Sequence, residues 1–377
     1  IRLTGTTVVF DGPVDGSTGD SQDLELNMST STTFASSVGA TEPVGDGDGA
    51  SIRLNPQGDA GFTGTTEFQG TVATASGLNQ NGSAGLVTFQ DDVSLGAGGG
   101  AVADATTFSA SVTFDGMTFA SAGDVTLGSD AADDVTLSSG AVTVDVTGDL
   151  TTNATIDGAQ DLTLDVDGTT TIGGAVGAIT PIGDGIDTAL TVNSSGSTDV
   201  QNTIMTASGI VQADAAGAVT FTENVSIGAG GGTGSDDSAF NGNVTLDGMT
   251  LTSAGNVAFG NDATNDAVTV STGAVTIDTS GAGTNVEFTA DVDGAQDLTV
   301  TAGAGDITFS AGADMGGTTA VGDGAGSAVT LSGDTVTVRG VGADGDISLT
   351  GTTSVALGGD LSTINAGAIQ VTGDTSL

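Results

Sequence analysis

The 377-residue chain contains no cysteine, no histidine, no tryptophan and no tyrosine, and only four prolines. Its three basic residues are Arg2, Arg53 and Arg339, so lysine is absent as well. Zero cysteine excludes a disulfide framework and thiolate metal sites, and zero histidine removes the commonest transition-metal ligand and general base. No apolar run approaches the roughly 18 residues of a membrane span, and no basic-then-apolar signal peptide opens the chain. Because it starts "IRLTGTT" without methionine and closes "VTGDTSL", the sequence reads as a mature product or an excerpt of something longer.

Against three arginines stand 47 acidic residues, a formal charge of −44. Such a charge predicts disorder where hydrophobicity is low. Here mean hydropathy is +0.18, and valine, leucine, isoleucine and threonine recur every few residues. With 64 glycines, the chain can bury a core if each buried side chain is small and each turn is tight.

What the sequence does hold is repetition, which decides the architecture before any local motif. "DGAQDLTL" at 157–164 returns as "DGAQDLTV" at 293–300, with a weaker echo, "DSQDLEL", at 20–26. "GLVTFQDDVSLGAGGG" at 85–100 returns as "GAVTFTENVSIGAGGG" at 217–232, and the stretch that starts at Val112 returns, by the same shift, from Val244. "VGATEPVGDG" at 38–47 matches "VGAITPIGDG" at 176–185 and, more loosely, "MGGTTAVGDG" at 315–324. The chain is therefore one continuous repeat protein with long repeats at about 21–158, 159–294 and, incomplete, 295–377.

Within each long repeat, short runs such as "AVTVDVTG" and "QDLTLDVDG" alternate apolar residues with threonine or aspartate and end in Gly, Asp or Asn. That pattern predicts strands and turns and no helix. In the second run Leu162, Leu164 and Val166 face one side, while Thr163, Asp165 and Asp167 face the other. Strands this short cannot bury their faces alone, so the expected fold is all-β: a parallel β-solenoid, or β-helix, forming an elongated rod. Coils of roughly 18 to 24 residues, about 4.8 Å apart, would give some 17 to 20 coils and a rod roughly 80 to 95 Å long. Glycine suits the corners, and proline is scarce because nearly every backbone N–H has a partner in a stacked ladder. A β-sandwich array is the rival, but it calls for longer strands and a large buried aromatic, whereas the 13 phenylalanines here are scattered along the chain.

The repeated "VGAITPIGDG" segment, preceded by "AQDLTLDVDGTTTIGGA", resembles the passenger regions of very large bacterial surface proteins: filamentous-haemagglutinin-like exoproteins, autotransporters and related adhesins. The resemblance covers essentially the whole chain and lies in repeat style and composition. It implies a right-handed β-helix exported to the cell surface and acting as a fibre, stalk or adhesin.

Aspartates are the candidate site residues. "GDGDG" at 45–49 brings Asp46 and Asp48 together, and "GDG" recurs around Asp184 and Asp323. These residues suit calcium, a hard cation that takes carboxylate oxygens. They suit tight turns equally, since the central Asp persists in all three copies while the second acid becomes Ile186 or Ala325. "GGTGSD" at 231–236, ending in Asp236, fits the start of a calcium-binding nonapeptide but occurs once. "LDVDG" at 164–168 lacks the rest of an EF-hand loop and reads as a strand end, and "GAGGG" at 96–100 lacks the lysine and helix of a phosphate cradle. No metal or other cofactor is required by the sequence; Ca2+ is the one its acids fit.

An enzymatic reading has little to stand on. Pectate-lyase-like β-helices work acidic sugars with basic side chains, and a charge of −44 repels such substrates. Stacked aspartate pairs are too common to single out a glycosidase pair. Threonine-rich strands such as "VTVST" suggest ice-binding faces, but outward threonine is also what a solvated strand prefers. The charge density approaches that of duplex DNA; it should gather Ca2+, Mg2+ and Na+ diffusely, repel nucleic acid and suit a salty medium. The expectation is thus a non-catalytic, extracellular or cell-surface structural segment, self-associating head-to-tail or laterally into a filament, with an adhesin passenger that binds a host or carbohydrate ligand as the alternative. A metal-organising matrix rests on charge density alone.

Overall fold

The computed structural model describes residues 1–17, 22–58, 60–96, 105–213, 216–229, 236–261 and 265–377. These residues are strand, turn and bend, with no helix among them. They fold as two compact units, one of Ile1–Ile182 with Ser194–Gly196, the other of Gly183–Asn193 with Ser197–Leu377. The strand pairings among the described residues are parallel, as stacking of like coils requires.

Most strands are short, and nearly all bury alternate positions. Val87 and Phe89 are buried around a half-exposed Thr88, and Leu162, Leu164 and Val166 are each at most 2% exposed. The inward set expected for "QDLTLDV" is therefore the observed one. A regular coil contributes three such strands, one to each of three columns. In the first unit Val112–Asp115, Thr118–Ser121 and Val125–Leu127 form one coil. Asp134–Ser138, Val142–Val146 and Leu150–Thr152 form the next, paired in register with the first. In the second unit Val244–Asp247, Thr250–Ser253 and Val257–Phe259 pair in the same way with Ala267–Ser271, Val275–Asp278 and Val286–Phe288.

Coil length departs from expectation. Going forward along the chain, Val329 pairs with Ile347, a short coil, whereas Ser31 pairs with Thr65, a far longer one. Coils outgrow the expected length wherever a loop bulges between strands, so the chain completes about 15 turns, fewer than expected. The reason is that only strand segments must match in a ladder; a loop leaving and re-entering at the same corner costs a closure entropy that grows slowly with its length.

Eight of the 13 phenylalanines stand in two columns. Phe10, Phe34, Phe68 and Phe89 lie on successive coils of one column, their ring centroids 4.6, 4.7 and 4.9 Å apart and their planes within 9°. Phe240, Phe259, Phe288 and Phe309 form a second stack, at 5.2, 5.2 and 4.6 Å. These spacings match the strand separation of about 4.8 Å, because an in-register ladder fixes like side chains one above another. A residue type too sparse to build a sandwich core thus forms continuous columns in a solenoid.

Two glycines show why the corners need that residue. Gly158 and Gly294, the second letters of the two "DGAQDLT" phrases, have φ of +138° and +140°. A Cβ there would stand 2.1 Å from the Leu137 carbonyl oxygen and 2.0 Å from that of Val270. The phrase recurs because one corner recurs.

Candidate functional site

The acidic side chains are best understood from what each coil must supply to the next. Where a strand begins, its first N–H points along the stacking direction toward the preceding corner, and an Asx side chain there can accept it. In the second unit Asp237 Oδ1 accepts from Asn256 N–H at 2.8 Å, Asn256 Oδ1 from Asn285 N–H at 2.8 Å, Asn285 Oδ1 from Asp306 N–H at 2.8 Å, and Asp306 Oδ1 from Thr335 N–H at 2.9 Å. In the first unit Asp124 accepts from Asp149 N–H at 2.9 Å, and Asp149 accepts from the N–H and hydroxyl of Thr169 at 2.7 and 2.9 Å. Those two bonds from Thr169 hold Asp149 below the usual aspartate range.

The three "GDG" aspartates share one geometry. Asp46 Oδ1 accepts from Asp48 N–H at 2.9 Å, Asp184 Oδ1 from Ile186 N–H at 2.8 Å, and Asp323 Oδ1 from Ala325 N–H at 2.9 Å. Each is an Asx turn closing on the residue two positions on, which is why the central Asp persists while the second acid varies. Asp157 and Asp293, the first letters of the repeated phrase, hold the start of the same loop. Asp157 Oδ1 accepts from Ile179 and Thr180 N–H at 2.8 and 3.0 Å, and Asp293 Oδ1 from Thr318 and Thr319 N–H, both at 2.9 Å. Asp15 does this in the first copy, accepting from Thr41 N–H at 2.9 Å.

The second aspartate of the phrase approaches the "GDG" turn one coil on. Asp297 Oδ1 accepts from Asp323 N–H at 3.4 Å; burial, then the nearby Asp323 carboxylate, raise Asp297 despite that bond. Asp23 stands equivalently toward Asp46, with Arg53 Nη2 3.0 Å from its Oδ2. Burial raises Asp23 as well, and the Arg53 charge opposes the rise. Among the described residues no three acidic side chains group closely enough to hold a metal ion.

Asp236 stands apart from the other candidates. Its Oδ1 is buried without a hydrogen-bond partner among the described residues, and burial followed by the charge of Asp237 raises its pKa. The remainder of "GGTGSD", residues 231–235, lies outside the described residues, as do residues 97–100 of "GAGGG" and its continuation to 104. "LDVDG" begins inside the strand Leu162–Val166 and ends it, as expected.

No protein-family model, curated protein or solved structure matches this chain.

Two features escaped the sequence reading. Gln80 and Gln212, at equivalent positions of successive long repeats, are buried at 0% and 1% exposure. Gln80 Nε2 donates to the Gly85 carbonyl at 2.7 Å and Gln212 Nε2 to that of Gly217 at 2.8 Å, each clamping the loop after its strand. The signal was a polar residue at an inward position in both long repeats. The second feature is a pair of open grooves. One, of about 200 Å3, is lined by Leu95, Ala120, Ser121, Ala122 and Asp145 among others. The other, of about 320 Å3, is lined by Ile227, Thr252, Ser253, Ala254 and Asp278 at the equivalent positions of the next long repeat. Burial, then the charges of Asp165 and Asp167, push Asp145 up.

Proposed function

We propose that the chain is a structural segment of an extracellular bacterial fibre, filament or surface stalk, of the kind carried by filamentous-haemagglutinin-like exoproteins and autotransporter passengers. The observation that supports this best is how its aspartates are used. In both units, acids and amides at successive corners accept the backbone N–H of the following coil. These acidic side chains are spent on tying one coil to the next, so on this reading the protein is not an enzyme and its work is mechanical. Its charge of −44 fits a cell-surface, saline setting, where diffuse Na+, Mg2+ and Ca2+ screen it, and it disfavours nucleic acid. Partners are then further copies, joined head-to-tail or laterally.

A specific observation also favours an adhesin passenger. The coil that runs from Ser31 to its partner Thr65 is far longer than the one from Val329 to Ile347, and it carries the first copy of the recurring loop at 38–47. A uniform spacer has no need of such loops. Electron microscopy of native material distinguishes the readings. A continuous filament with an axial repeat near one chain length supports the fibre; isolated projections from a cell surface support the adhesin; dispersed soluble particles with neither form would refute both.

A further inference from the structure

One column of strands in the second unit carries a regular face that neither the corners nor the core explain. Thr250, Thr276, Thr299, Thr330, Ser348 and Gln370 pair in register on six successive coils. Two positions further along the same strands, Thr252, Asp278, Thr301, Ser332, Thr350 and Thr372 pair in register as well. The residue between the rows is apolar in each strand and buried in the first five, from Leu251 to Leu349, so both rows face outward. Five of the six positions in each row are threonine or serine, Gln370 and Asp278 being the exceptions. The register shifts of this column fall between Ser327 and Val329, Gly333 and Thr335, and Thr350 and Ser354, so none interrupts either row. Outward threonine alone would mean little, because solvated strands favour it. The neighbouring column shows what that preference gives unaided: its outward row runs Val211, Ala239, Ala258, Glu287, Thr308 and Thr337, apolar, acidic and hydroxyl side chains mixed.

The hydroxyls of this face are not spent on the fold. Among the described residues those of Thr276, Thr299, Thr330, Ser332 and Thr350 have no protein partner, and Thr252 makes only a long contact to the Val225 carbonyl at 3.5 Å. Asp278 is tied to its own turn, its Oδ1 accepting from Ser280 N–H at 2.9 Å. β-Branched threonine has few rotamers to lose, so such an array meets a partner at little entropic cost. Its rows repeat about every 4.8 Å along the stack and stand about 6.6 Å apart along the strand. Tetrahedral water, bonded at about 2.75 Å between oxygens, puts second neighbours about 4.5 Å apart and repeats at about 7.3 Å along the perpendicular axis of hexagonal ice. Both dimensions agree to about a tenth, and over six coils the axial mismatch builds to about 1.5 Å, less than half a repeat. A dissolved ligand gains nothing from this two-dimensional order, whereas a crystal of water matches it row for row. We infer that the double row from Thr250 and Thr252 to Gln370 and Thr372 is an ice-binding face, a function independent of whether the chain builds a fibre or an adhesin.

The test is retention of the fluorescently labelled chain in ice grown slowly from dilute solution, with free dye as the measure of passive trapping. The unaltered chain should be enriched in the ice well above the dye. Thr299→Tyr with Thr330→Tyr sets two rings in the middle of the first row without changing the charge, at outward strand positions where tyrosine is well tolerated. It should lower retention about tenfold, the loss of one well-seated contact. Thr245→Tyr with Thr269→Tyr makes the same change on another column of the same unit, where these two threonines pair in register, and should alter retention less than about twofold. Matching far-UV circular dichroism shows that both variants keep the coils. Exclusion of the unaltered chain from ice, unchanged retention of the Thr299 and Thr330 variant, or equal losses from the two tyrosine pairs would overturn the proposal.

Discussion

Truncating Phe288 to alanine tests the stacked-coil account most directly. The ring is fully buried, 5.2 Å from Phe259 on one side and 4.6 Å from Phe309 on the other. Replacing a buried phenylalanine by alanine costs about 3 to 5 kcal/mol in transfer and cavity terms. Each lost ring pair adds about 0.5 to 1.5 kcal/mol where stacking is favourable, which places Phe288→Ala toward the upper end, at about 5 kcal/mol. A solenoid need not unfold in one step, so the assay must be local. Native-state hydrogen exchange supplies it. Amides of Val286–Phe288 and of the adjoining strands Val257–Phe259 and Ile307–Phe309 should lose protection by a factor of several thousand (about 4,000), since about 1.4 kcal/mol is tenfold. Strands around Phe34, in the other unit, should keep theirs. Phe288→Leu with Phe309→Leu closes a double-mutant cycle whose coupling should be about 1 kcal/mol. Uniform loss of protection across both units, or a coupling near zero, would refute the idea that stability is stored coil by coil in the ring columns.

Three other outcomes follow from the corners and the charge. Gly158→Ala forces a Cβ against the Leu137 carbonyl at a φ of +138°; at about 1 to 3 kcal/mol for the backbone alone, it should lower Tm by several degrees, and an unchanged Tm would show that the corner relaxes freely. Asp23, Asp145, Asp236 and Asp297 have folded pKa values raised above the ordinary 3.8, so the folded state binds their protons more readily and stability should rise as pH falls from neutral toward that value. Asp149 and Asp334 are lowered by threonine hydrogen bonds, and their contribution, complete above 3.8, should be lost as pH falls through their depressed values. A urea midpoint that declines steadily from pH 7 downward would contradict this sign. With 47 acids against three arginines, Tm should climb between about 0.01 and 1 M salt, as the screening length shrinks from about 30 to 3 Å; a flat Tm would mean the charges are too far apart to matter.

The strands were legible because period-two alternation reports which side chains face inward, and Leu162, Leu164 and Val166 behave as read. The "GDG" turns were legible as one of two readings, because Asp beside Gly is a local signal that needs no knowledge of the next coil. Coil length was not legible: loops carry no periodicity, and the ladder tolerates both the short step from Val329 to Ile347 and the long one from Ser31 to Thr65. The ring columns were hidden for the same reason, since Phe34 and Phe68 meet only once the long coil between them is closed. The grooves were invisible because their lining comes from three successive coils, each unremarkable alone.

The shift that relates Val93–Leu95 to Val225–Ile227 has a bearing on how such a chain can change length. Both strands carry an inward, outward, inward triplet with the same corner residues after them. Removing the whole stretch that separates equivalent positions would still hand each strand a neighbour of the kind it already has, and inserting another copy would do the same. For most folds an indel of that size is fatal. Here a whole module can be taken out or added and every remaining strand still meets a neighbour of matching register, so the ladder itself sets no fixed number of coils.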